Sequence, residues 1–519
     1  MNTVDNPFDC FPFPTSFLMN SFFFRFSTGL LVLLVALRLP AAAQVPAWQS
    51  AQVVAGATAA ARGNHSHVRA TAIDAAGNVY LAGDFKNTVT LGGITLTSVG
   101  DYDVFVAKFN PATNQFVWAQ RAGGADEDRA RALVVSGTSV YVGGHFESST
   151  AGFGTTTLTC AGAKDLFVAK LTDAGGTGSF GWAQRAGGPQ DEEARALAVS
   201  GTSVYVAGDF DSPKASFGVT TLSKAGGSDA FVAKLIDAGT TARFAWAQRA
   251  GGTDNDQARA LAVNGTSVYV AGEFGSPTAS FGATTLTCVG NADVFVAKLT
   301  DAGGKGAFAW AQRAGGPGRE GANALAVNGT SVYVAGDFNS PAASFGTATL
   351  ACATSAMGNV FVAKLTDADG TGRFVWAQQS SSPWADHANA LAVSGTSVYV
   401  AGFFASATAG FGATTLTTAG SSDVFVAKLA DAGSTGCFWW AQRAGGLEAE
   451  EATALAVRGT SVYVAGGFDS PTASFGTTAV ANPYPGGAVR VGFLATLSDL
   501  ASPTTGPQSE PGKTLPTPR

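Results

Sequence analysis

The chain has 519 residues, of which 13% are charged, and a formal net charge of -6. An average domain carries roughly 25% charged residues. The low charge, with 66 glycines and 46% hydrophobic residues, suits short strands joined by tight turns and excludes a disordered chain. The acidic balance argues against a nucleic-acid partner, which calls for a basic surface.

Residues 1–43 read as an export signal. Arg25 supplies positive charge, residues 29–37 form an apolar run, and Ala41, Ala42 and Ala43 offer a small-residue cleavage site. Met19 opens a more usually sized signal than Met1 does. The apolar run is shorter than the about 20 residues that span a bilayer, so no membrane span is expected after cleavage. The mature chain is then secreted or held at the cell envelope.

From residue 44 to residue 499 one unit recurs seven times, marked by Tyr80, Tyr141, Tyr205, Tyr269, Tyr333, Tyr399 and Tyr463 at spacings of 61, 64, 64, 64, 66 and 64. A period this long with strand-like content means stacked units, either a solenoid or a closed propeller. The third copy shows the unit. Residues 194–199 (ARALAV) alternate, a Ser-Gly-Thr turn follows, and residues 203–210 (SVYVAGDF) are rich in β-branched and aromatic side chains. A long Gly/Ser/Thr connection leads to residues 230–235 (AFVAKL) and then to 244–250 (FAWAQRA), closed by Gly251 and Gly252. Four strands without an intervening helix describe a propeller blade. The first strand, small and Ala-rich, is expected innermost.

The fourth-strand tryptophan recurs six times, at Trp118, Trp182, Trp246, Trp310, Trp376 and Trp440, each 23 residues before the next of those tyrosines. The last copy stops after residues 492–497 (GFLATL) without one, while Trp48 stands ahead of the first copy. The expected fold is therefore an all-β, seven-bladed β-propeller over residues 44–499, in four-stranded blades. Trp48 is placed in the tryptophan slot of the last blade's outer strand, so that the N-terminal strand closes the ring. Closure leaves no open sheet edge and suits a monomer. Cys160, Cys288 and Cys352 fill one repeat position on separate blades, too far apart to bridge, and these three and Cys437 read as free thiols. Residues 500–519, Pro- and Thr-rich, read as a disordered tail.

These motifs resemble the bacterial β-propeller repeat family often labelled SBBP. Its VYVxG strand, D-x-FVAKL strand and Trp strand ending in Gly-Gly match residues 204–208, 229–235 and 246–252. The resemblance implies exported or surface proteins of this shape, without an assigned activity.

No nucleophile elbow, phosphate loop or metalloprotease spacing occurs, and no cofactor is expected. His65 and His67, two residues apart, have no carboxylate-rich partner segment beside them. Acidic loops between fourth and first strands offer weak calcium candidates in Asp126, Asp128, Asp254 and Asp256, with a solvated rim as the plainer reading. The ligand-binding candidates cluster where the inner strands begin. Four copies carry Arg69, Arg131, Arg195 and Arg259, and the slot after VYVAG holds Asp84, His145, Asp209, Glu273 and Asp337, then Phe403 and Gly467. Pairing of each arginine with a neighbouring carboxylate is the alternative to a ligand role. Trp384, in the most divergent loop, is either an exposed contact or a packing plug. Near-copies around a ring suit binding better than catalysis, which needs unlike groups converging on one point. The expected function is a secreted or surface scaffold that binds a protein or polysaccharide of the envelope. The alternative is a polysaccharide lyase or hydrolase.

Overall fold

In the third copy, Glu192–Ser200 pairs with Ser203–Phe210, which pairs with Asp229–Asp237, which pairs with Ala242–Ala250, all antiparallel. The Gly201–Thr202 turn places Gly201 at φ 59° and leaves Thr202 at negative φ. That is the type II′ pattern, with glycine first, rather than an Asn-Gly type I′ turn. Seven sheets of this design make up the computed structural model, which describes residues 46–55, 63–352, 358–484 and 489–499. The expected signal at 1–43 and tail at 500–519 lie outside the described residues.

Each inner strand touches the inner strands of both neighbouring sheets, and the contacts run round without a gap, from Glu450–Arg458 back to His65–Ile73. The chain is a seven-bladed β-propeller. Its cores lie between blades. Trp182 and Val168 of the second blade pack with Phe210, Phe217 and Phe231 of the third in one buried cluster. Each such large side chain stabilises the junction by roughly 1.5–3 kcal/mol. Cys160, Cys288 and Cys352 form no disulfide, whereas Cys437, expected as a free thiol, is disulfide-bonded.

The long connection between second and third strands is not loop throughout. It folds into a small hairpin, as in Lys214–Phe217 with Thr220–Ser223, whose Phe217 is fully buried. The hairpin of one blade also pairs with the end of the preceding blade: Gly187 and Ser216 exchange backbone bonds of 3.1 and 2.9 Å.

Ala47–Val54 pairs antiparallel with Val491–Ser498, so the N-terminal strand is the outer strand of the last blade. One detail of the expectation is corrected. Ser50 faces Thr496, the position equivalent to Trp246 facing Lys234, and Trp48 sits two residues earlier, in the slot of Phe244. Trp48 is buried there, edge-on to Phe475 at 5.3 Å, as Phe244 is to Phe217. The outer strand's one-residue bulge hides this offset from sequence spacing.

The tryptophan slot belongs to a clasp between blades. Tyr205 Oη, Lys234 Nζ and Trp246 Nε1 all donate to Asp301, the last residue of the next blade's third strand, at 2.6, 2.5 and 3.2 Å. The same convergence recurs on Asp173, Asp237, Asp367, Asp431 and Asp499. The closing junction keeps the tyrosine, as Tyr463, but has Ser50 for tryptophan, Thr496 for lysine and Pro111 for aspartate. A lysine kept there without its aspartate would be a buried unpaired charge.

Candidate functional site

The inner strands converge on a channel lined by their alanines and leucines, Leu133, Leu197 and Leu261 among them, with a cavity of about 190 Å³. At its mouth, Arg69, Arg131, Arg195 and Arg259 are each the extra residue of a β-bulge. In the third blade the ladder steps from Ala194 opposite Gly208 to Ala196 opposite Ala207, leaving Arg195 between. The first, second and fourth blades shift at the same place, and Asn323, Asn389 and Thr453 take it in the other three. The bulge explains the glycine of VYVAG. A Cβ on Gly208 would stand 1.8 Å from the Glu193 carbonyl oxygen, so only glycine lets the strands approach.

All four arginines find carboxylates. Arg69 Nε donates to Asp84 Oδ1 at 2.8 Å, and Arg259 Nη2 to Glu273 Oε1 at 2.6 Å. Arg195 pairs with Asp209, and its Nη2 lies 2.8 Å from Glu193 Oε2. Arg131 crosses to Glu193 of the next blade. Further pairs span blade boundaries: Arg129 Nη1 to Asp84 at 2.9 Å, Arg319 Nη2 to Glu273 at 2.8 Å, and His387 Nδ1 beside Asp337 at 3.1 Å. Phe403 stacks on His387 with ring centroids 4.8 Å apart. Gly467 lies against His67 and Arg490, and Arg490 binds Glu451 and Asp469.

Local pairing, the plainer of the two readings of these arginines, is what the geometry presents, but it extends between blades. Burial works to raise the Glu193 carboxyl, yet His145, Arg195 and Arg131 hold it well below the usual range. Burial pushes Asp209 up in spite of Arg195. The pattern of types exposed the arginines and their slot partners. It missed Arg129, Arg319 and Arg490, because these stand outside the repeated slots and act through side-chain reach.

The calcium candidates are not brought together as a ligand set. Asp128 is buried, and its Oδ2 accepts from Gly124 N at 2.6 Å and Ser148 Oγ at 2.8 Å; Asp256 does the same with Gly252 and Ser276. Asp126 and Asp254 are exposed, and it is their backbone N–H groups that donate to those serines. One carboxylate per loop is thus a buried fastener rather than part of a solvated rim. Burial pushes Asp128 and Asp386 up to about 6 and Glu192 up to about 7.

On the third blade the mouth face holds a polar cavity of about 220 Å³, bordered by Lys164, Asp191, Arg195, Asp209 and Asp211. Trp384 is 56% exposed on the same face, which settles it as a surface residue rather than a plug. His67 is buried, and burial pushes it well below the usual histidine range. His65 lies edge-on to Tyr102 at 5.2 Å.

No family model matches the chain, and no curated protein matches it. Among solved structures, the Pan2 WD40 domain of Neurospora crassa is similar at a TM-score of 0.41 and 12% identity, over 84% of this chain and 90% of that one. At that TM-score the likeness adds nothing to what the strand topology already shows. Among the described residues, no helix is long and apolar enough to cross a membrane.

Proposed function

We propose that the chain is an exported propeller of the SBBP kind, a monomer that works as a non-catalytic scaffold and binds a polysaccharide or protein of the cell envelope on its mouth face. The observation that carries this reading is the pairing at the mouth. All four bulge arginines are tied to carboxylates, Arg131 to one on the next blade, so the face offers a fixed pattern of donors and acceptors. A glycosidase instead needs a protonated and an ionised carboxyl roughly 5–10 Å apart and both open to substrate. Here Glu192, the carboxyl raised to about 7, is buried against its own loop by Gly188 and Ser212. The polar cavity of the third blade gives the face an indentation, and Trp384 a flat apolar surface. Export is supported by the composition of residues 1–43, and the family by the repeat motifs.

The test is incubation of the purified chain with isolated envelope polysaccharide and, separately, with envelope proteins. Retention without new reducing ends or unsaturated sugars is expected, weakened by Trp384→Ala. Cleavage of the polysaccharide, or retention of neither material, contradicts the proposal.

A further inference from the structure

One cluster on the mouth face breaks the repeat in a chemically specific way. In the second blade the end of the inner loop and the end of the second strand bring together Glu127, His145 and Glu147, whose ligand atoms all lie within 4.8 Å of one another. The fold places them. Glu147 N donates to Glu127 O at 2.8 Å, setting these two residues side by side, and Arg129 faces His145 in the adjoining ladder pair. Arg129 then holds the Glu127 carboxylate through Nε and Nη2 at 2.5 and 3.1 Å.

His145 is 2% exposed, and its two nitrogens are in unlike surroundings. Nδ1 lies 3.1 Å from Glu193 Oε1. The Glu193 carboxylate can only accept, so Nδ1 donates to it and Nε2 is the nitrogen left for a ligand. Nε2 points to the Glu127 and Glu147 side, 3.9 Å from Glu127 Oε1, beyond hydrogen-bond reach. A carboxylate behind a histidine whose other nitrogen faces further ligands is the arrangement that orients metal-binding imidazoles.

The equivalent positions are Asp191, Asp209 and Asp211 in the third blade and Asn255, Glu273 and Gly275 in the fourth, so neither offers an imidazole. Among the described residues, no other group of three such side chains gathers this closely.

We propose that the second blade binds one divalent transition-metal ion of the zinc class through His145 Nε2 and the carboxylates of Glu127 and Glu147, with Glu193 as the positioning residue. An imidazole with two carboxylates suits zinc and its neighbours, whereas calcium takes six to eight oxygens. Three protein ligands leave a fourth tetrahedral position for water or a partner's donor group. The site is independent of the binding role assigned to the face as a whole.

The test is a titration of the purified full-length chain, freed of metal by a chelator, with zinc chloride alone. One equivalent of zinc per chain is expected, lost in His145→Gln. Because His145 is buried and that variant is at risk of misfolding, Glu147→Gln on the exposed side and Glu193→Gln behind the histidine are measured with it. Glu193→Gln is expected to weaken zinc binding about 10–100-fold, and Glu147→Gln at least as much. Absence of stoichiometric zinc in the parent chain, or a zinc affinity in Glu147→Gln and Glu193→Gln equal to the parent's, overturns the proposal.

Discussion

Lys234 and Asp301 are each less than a tenth exposed, on neighbouring blades, and their charges lie 2.5 Å apart with a tyrosine and a tryptophan donating to the same carboxyl. Deleting one partner strands the other, so Asp301→Ala is expected to cost about 3–5 kcal/mol in urea unfolding. Replacing both, as Lys234→Thr with Asp301→Asn, is expected to cost clearly less than the sum of the two single changes. The molecule already does this at its closing junction, where Thr496 and Pro111 stand for the pair. A double variant whose cost equals the sum of the singles contradicts the clasp as described.

The buried loop carboxyls give a pH signature. Asp128, Glu192 and Asp386 have folded values of about 6, 7 and 6, above their unfolded values near 4. The folded state therefore holds protons that the unfolded state has released. The stability from these groups is complete below about pH 4 and is lost as pH rises through 6 to 7. Glu127 and Glu193, held low by His145, Arg129 and Arg195, act oppositely: the stability they contribute is present above about pH 4.5 and is lost progressively as pH falls below it. Melting temperature is expected to decline from pH 5 to pH 7.5, and Glu192→Gln to flatten that decline. A profile rising across this range contradicts the assignment.

At the scale of the strand, the bulge is the device that aims a side chain at the channel mouth, and a glycine on the adjoining strand permits it. Gly208→Ala is expected to destabilise the blade by on the order of 3 kcal/mol, since its Cβ meets a backbone oxygen that cannot move aside. Gly176→Ala, with nothing within 4 Å, is the control and is expected to be near neutral. Equal effects of the two, read as shifts in unfolding midpoint, contradict the account. The four strands were legible in residues 194–250 because alternation and turn residues are local signals. The bulge at Arg195 was not, since one extra residue leaves the ARALAV pattern intact. The Lys214–Ser223 hairpin was missed because its strands are four residues long and rich in Ser, Thr and Gly.

For the molecule as a whole, seven copies and the stray Trp48 sufficed to foresee the ring and its closing strand. The clasps were invisible, because Tyr205 and Asp301 are 96 residues apart and meet only once the blades are stacked. For the same reason the arginines of the mouth were legible as a set, while their partners across blade boundaries were not. Closure by the N-terminal strand is the claim on which the order of every junction depends, since the junction of last and first blades alone lacks the Tyr-Lys-Trp-Asp convergence and is held instead by a buried cluster that joins Val54, Ala465 and Leu494 to Val68, Leu81 and Phe105, and by Ser66 N donating to Arg490 O at 3.1 Å. Ala51 faces Ala495 in that pairing. In a chain carrying Ala51→Cys and Ala495→Cys, mild oxidation followed by peptide mapping is expected to give an intramolecular disulfide between these two positions in the monomer. A monomer in which the two thiols stay unlinked, or a bridge that forms only between chains, would contradict the closed ring.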